Sequence, residues 1–128
     1  MRTIASCLDL ARTGHHEAAL HGLMELGENA LPGLVDAYRT EPNPAVRALI
    51  VEVVWQLRTH ASIAFLDEAI QDPAAEVWQQ ALDGLVTLAS AESLHVLESA
   101  RDRIGEDREE FREWVDGAIE DVSGRLDE

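Results

Sequence analysis

One amphipathic pattern recurs along the chain at intervals of thirty-odd residues, and it constrains the fold more than any other feature. Val46, Ile50, Val53, Val54 and Leu57 stand at positions i, i+4, i+7, i+8 and i+11. A shift of 31 brings the same slots to Val77, Ala81, Gly84, Leu85 and Leu88, and a further 34 brings them to Phe111, Val115, Ala118, Ile119 and Val122. Counting back 31 from the first set gives Ala19, Gly22, Leu23 and Leu26, with His15 in the remaining slot. This spacing places five residues on one face of an α-helix. A chain that repeats such a helix cannot bury the apolar face within one copy, so the copies must stack.

A second helix type alternates with the first. Leu31-x-x-Leu34, Ile63-x-x-Leu66 and Leu94-x-x-Leu97 follow one another at spacings of 32 and 31, and Ile4 with Leu8 fills the same role ahead of the first copy. The pattern predicts eight helices, at about 3–12, 15–26, 29–40, 44–58, 62–71, 74–89, 91–104 and 107–123. Short connections make consecutive helices antiparallel neighbours, giving hairpins of about 3–26, 29–58, 62–89 and 91–123 in a single domain spanning 1–128. The punctuation agrees. Asn43-Pro44 and Asp72-Pro73 read as an N-cap followed by an N1 proline, and Asp107 with Glu110 as a capping box. Gly27 and Gly105 stand where a left-handed cap is wanted, and Ser123 to Glu128 is expected to fray. Gly22, Gly84 and Ala118 share one slot. Mid-helix glycine costs about 1 kcal/mol relative to alanine, so two in matching slots point to close helix approach.

Charge narrows the function classes. The 128 residues hold 25 acidic and 10 basic side chains, a formal charge of −15, and every basic residue is Arg. Such a surface repels phosphate backbones and anionic lipid, which argues against nucleic acid and membrane and favours a basic protein partner. The competing account is that acidity serves solubility alone. Cys7 is the single cysteine, so no intramolecular disulfide can form. It lies on an apolar helical face, where buried and inert is the default. A free thiol, and no apolar stretch resembling a signal peptide or a membrane span, lead to the expectation of a cytoplasmic monomer.

The run Asn43-Pro44-Ala45-Val46-Arg47, with apolar residues continuing at helical spacing to Leu57, resembles the second helix of a HEAT repeat. Asp72-Pro73 to Leu88 and Phe111-Arg112 to Val122 are similar, and the resemblance covers almost the whole chain as four units. It departs at Trp78, which stands where Arg is usual, and at two extra residues ahead of Val77. The resemblance implies an all-α, right-handed α-α superhelix of about four hairpins, working as a curved scaffold whose second helices line a concave binding face.

On that reading each second helix presents a polar stripe. The stripes are Glu17, His21, Glu25; Ala48, Glu52, Gln56; Gln79, Asp83, Thr87; and Glu113, Gly117, Asp121. Side by side they form an acidic groove edged by His16, Arg47, Trp78 and Arg112. Trp55 and Trp78 fall outside the strongest apolar slots, so both are expected to be partly exposed anchors on which a partner's Arg or Lys can stack. The candidate partner-binding set is therefore Glu17, His21, Glu25, Glu52, Trp55, Gln56, Trp78, Gln79, Asp83 and Glu113. Trp114 is assigned to packing at the C-terminal end. His60 and His95 stand alone as surface or packing residues.

The expected function is a non-enzymatic protein-interaction module with an acidic concave face, in its sharpest form neutralising a basic partner as immunity and antitoxin proteins do. No catalytic residue, metal site or cofactor is assigned. The alternative is a metal-binding enzyme or carrier using His16, Glu17, His21 and Glu25. The run His15-His16-Glu17-Ala18-Ala19 resembles the His-Glu element of deoxyhypusine hydroxylase, a HEAT-like di-iron enzyme. That family needs several such pairs, and the matching slots here hold Arg47-Ala48, Trp78-Gln79 and Arg112-Glu113.

Overall fold

The four copies of the apolar pattern become four helices laid side by side, each paired with a preceding antiparallel helix. The structure, a computed structural model, describes residues 3–104 and 108–126. The elements are α1 (Ile4–Arg12), α2 (His16–Leu26), α3 (Leu31–Thr40), α4 (Pro44–Gln56), α5 (His60–Ala69), α6 (Ala75–Leu88), α7 (Ala91–Arg103) and α8 (Glu109–Leu126), with a 3-10 turn, Glu28–Ala30, leading into α3. Among the described residues no strand occurs, so the chain is an all-α repeat array. The hairpins are α1–α2, α3–α4, α5–α6 and α7–α8, and the second helices contact one another in the order α2, α4, α6, α8.

The repeated slots are the core. Ala19, Leu23, Val46, Ile50, Val53, Val54, Val77, Ala81, Leu85, Val115 and Val122 are all at most 1 % exposed. His15, the polar exception, is solvent-exposed. Helix α4 sits between neighbours on both sides and also buries Leu49 and Val51. Its closest neighbour is α6. A Cβ placed on Gly84 would lie 2.6 Å from Trp55 Cγ and 2.7 Å from Trp55 Cβ, so the glycine is what lets α4 and α6 approach.

Turn chemistry repeats with the packing. Gly27, Arg58 and Ala89 follow α2, α4 and α6 at equal spacing, and all three have positive φ, of 73°, 54° and 46°. Only the glycine adopts this backbone without cost. Thr59 and Ser90, also one repeat apart, cap α5 and α7 through Ser62 N–H and Ser93 N–H. Asn43 is the N-cap of α4, accepting from the Ala45 amide at 2.9 Å, with Pro44 as N1.

Asp72 departs from expectation. It is not the N-cap of α6, which is Ala74; instead its Oδ1 accepts the amide of Ala74, two residues along the chain. The two extra residues before Val77 form this turn, and they free the carboxylate for other partners. Tyr38 donates its hydroxyl to Asp72 Oδ2 at 2.7 Å, and Arg47 donates from Nε to Oδ2 at 3.0 Å and from Nη2 to Oδ1 at 3.2 Å. One repeat earlier, Arg12 pairs with the buried carboxylate of Glu41. Polar staples thus join the first hairpin to the second and the second to the third. At the next junction Trp78 occupies the slot of Arg47, and an aromatic contact replaces the ion pair. Trp78 meets Phe111 edge-on, with ring centroids 4.9 Å apart.

The described part of the C-terminal segment, 123–126, is helical where fraying is expected. Helix α8 continues to Leu126, anchored by buried Val122 and by Arg125, whose Nε lies 2.9 Å from Asp121 Oδ1. The expected cap at Gly105 and the capping box beginning at Asp107 lie outside the described residues.

Two predictions follow from these contacts. Ala89→Gly relieves a left-handed residue and should raise stability by about 1 kcal/mol in urea denaturation. Gly84→Ala, despite its helix-propensity gain, should lower it by about 1–2 kcal/mol, because the branch point of Trp55 cannot swing away. Burial alone would raise the Asp72 carboxyl, but hydrogen bonds from Arg47, Ala74 N–H and Tyr38, with the charge of Arg47, together hold it below the usual aspartate range. A depressed folded-state value means this stabilisation is complete above the unfolded aspartate value and is lost as pH falls through the folded one. Denaturation at neutral pH should show Asp72→Asn costing about 3 kcal/mol, with the deficit shrinking in acid.

Candidate functional site

The second-helix row carries an open groove of about 590 Å³ where α4, α6 and α8 meet. Trp55 comes from α4, Leu82, Asp83, Val86 and Thr87 from α6, and Glu113, Trp114, Gly117, Ala118 and Asp121 from α8. Asp83 and Thr87 lie one turn apart on α6, while Glu113, Gly117 and Asp121 follow one another at the same interval on α8. The helical period therefore aims both stripes into one space.

The two indoles in the groove differ. Trp55 is half-buried over Gly84, and its Nε1–H donates to Gln80 Oε1 at 2.8 Å, which fixes the ring and commits its polar edge. Trp114 is 46 % exposed and rests edge-on against Trp78 at 6.0 Å between centroids. Around these rings stand three carboxylates, Asp83, Glu113 and Asp121, and among the described residues no cationic side chain lines the groove. Asp121 is paired with Arg125 at its end of the groove. Asp83 is an exposed residue, but partial desolvation in the groove pushes its carboxyl above the usual aspartate range.

The candidate residues separate on this geometry. Trp55, Asp83 and Glu113 converge on the groove. Trp78 does not, and its expected partial exposure is corrected: it is 4 % exposed and belongs to the core. It fills the slot of Arg47 in a repeat whose C-terminal neighbour offers Phe111 instead of a carboxylate, so the ring turns inward. Trp114, assigned to packing, is the exposed indole. Glu17, His21 and Glu25 are exposed on α2, outside the groove, while Gln56 and Gln79 are half-buried beyond its lining. Glu52 is half-buried and faces His16 across α2 and α4, with His16 Nε2 3.5 Å from its Oε1.

Two other chemistries find no support in the geometry. Cys7 is fully buried. Among the described residues no three His, Cys, Asp or Glu side chains converge to hold a metal ion, so the His16, Glu17, His21 and Glu25 set gains no geometric backing.

The family model for HEAT repeats matches residues 31–115, from the start of α3 into the middle of α8. The chain belongs to the HEAT-repeat family. HEAT repeats generally mediate protein–protein interaction, and the family is typically a non-enzymatic scaffold. No curated protein and no protein of solved structure matches the chain. No helix among the described residues is long and apolar enough to cross a membrane.

A raised carboxyl in the folded state is a stability cost above its titration range and no cost below the unfolded value. Asp83→Asn should therefore be more stable than the parent at neutral pH, with the difference vanishing as pH drops below the ordinary aspartate range. Parallel urea titrations at neutral pH and near pH 3 measure it.

Proposed function

We propose that this HEAT-repeat protein binds a basic protein across its second-helix row, which acts as an acidic concave face. The observation that carries the reading is the convergence of Asp83 and Glu113, neither ion-paired among the described residues, on a groove with an exposed indole whose third carboxylate, Asp121, is taken by Arg125. Exposed Glu17 and Glu25 extend the same sign of charge along α2, and the whole chain carries −15. An apolar ring inside a field of one sign supplies both parts of a recognition surface. The charge steers the encounter, and the ring supplies area that loses water on contact. A protein of this kind neutralises its partner when the partner's own working surface is the basic one, the role that immunity and antitoxin proteins perform.

Association kinetics test this. Basic proteins captured from lysate are purified and their binding followed at low and high salt. Reversal of Asp83 and Glu113 to Lys should slow association about tenfold at low ionic strength, and the difference should collapse near 1 M salt. Salt-insensitive binding, mapped to the α1, α3, α5 and α7 side of the array, overturns the reading.

A further inference from the structure

The groove between α6 and α8 carries more information than its sign. We propose that it seats one arginine side chain of the basic partner, its guanidinium lying on the exposed face of Trp114 between the carboxylates of Asp83 and Glu113. This rests on the protein-binding reading above and narrows it to a single anchoring contact.

Four observations support an arginine. Trp114 is an exposed indole in a groove lined by carboxylates, and a guanidinium is planar, stacks on indole faces and forks its donors onto carboxylate oxygens. Gly117 lines the groove with nothing within 4 Å of where a Cβ would stand, which leaves room for a flat group. The last turn of α6 contributes Val86 and Thr87, and a helix C-terminus favours cations.

The fourth is the chain's own example. Arg125 already docks at one end of the groove, with Nε on Asp121 Oδ1 at 2.9 Å and Nη1 donating to the Val86 carbonyl at 3.2 Å. Both acceptors belong to groove-lining residues. One internal guanidinium therefore satisfies the Asp121 end, while Asp83 and Glu113 have no ion-pair partner among the described residues. A cation arriving from outside would give the Asp83 carboxylate the ion-pair partner it lacks among the described residues. A purely apolar occupant would leave that carboxylate both buried and unpaired, which is costly.

The test uses three blocked, alanine-based helical peptides that differ at one position: arginine, lysine or citrulline, the last keeping the shape of arginine without its charge. They are titrated into the full chain and followed through the assigned indole N–H resonances of Trp55, Trp78 and Trp114 and the amide of Gly117. The arginine peptide should shift Trp114 and Gly117 saturably and Trp78 least. Citrulline should bind at least tenfold more weakly, and lysine several-fold more weakly. Trp114→Ala should abolish the preference for arginine over citrulline. Because Trp114 also touches Trp78, the double variant Asp83→Asn with Glu113→Gln, which leaves the ring in place, must abolish the same preference. Equal affinity for arginine and citrulline, or shifts confined to α2, overturns the proposal. If the captured basic protein still binds this chain with the salt dependence described above, only the arginine assignment fails. If that binding is also absent, the protein-binding reading falls with it.

Discussion

The close approach of α4 to α6 is the constraint on which the rest of the molecule depends. Gly84 removes the side chain that would hold the two helices apart, and Trp55 fills the space against the α6 backbone. Helix α4 then buries its apolar residues on more than one side, Leu49 and Val51 as well as the repeated slots. With α4 and α6 locked, α2 and α8 have fixed flanks to pack on, and each preceding helix closes its own hairpin. Interiors packed at this density tolerate little change of volume, which is why a single absent methyl group governs the geometry. The same contact holds the ring of Trp55 at the base of the groove, so core and candidate surface share a residue.

Much of this was legible in the sequence because the repeat samples one environment four times. Residues such as Val46, Val77 and Phe111 announce their burial through shared phase, and Asn43-Pro44 announces a helix start through local chemistry. What escaped lies where copies differ. Trp78 follows its apolar slot by one residue and Trp114 follows the matching slot by three, and helical period alone does not tell which neighbour each will meet. The answer depends on Phe111, which lies 33 residues beyond Trp78 and makes the slot of Arg47 apolar at that junction. Asp72 was misread for a related reason. Asp-Pro is a sound start signal, but a two-residue insertion delays α6 and turns the cap into a junction. Left-handed Arg58 and Ala89 were invisible because neither residue type advertises that backbone.

The candidate surface shows how a scaffold fold acquires a specific feature. The repeats supply stacking, and departures from repetition supply chemistry. Glu113, Trp114 and Gly117 have no counterparts in the slots of α4, where Ala48, Leu49 and Glu52 stand. Asp83 lines the groove with no ion-pair partner among the described residues.

The change of chemistry along the junctions sets an order of disassembly. Arg12 with Glu41 and Arg47 with Asp72 tie the first three hairpins through buried carboxylates, whereas the last is tied by the aromatic contact of Trp78 with Phe111 and an exposed pair of Arg103 with Asp67. Acid strong enough to protonate these depressed carboxyls, below the ordinary carboxylate range, therefore loosens the N-terminal junctions while the Trp78–Phe111 contact is unaffected. An acid-opened form would expose α1 and α2 to proteases first and keep the far end intact.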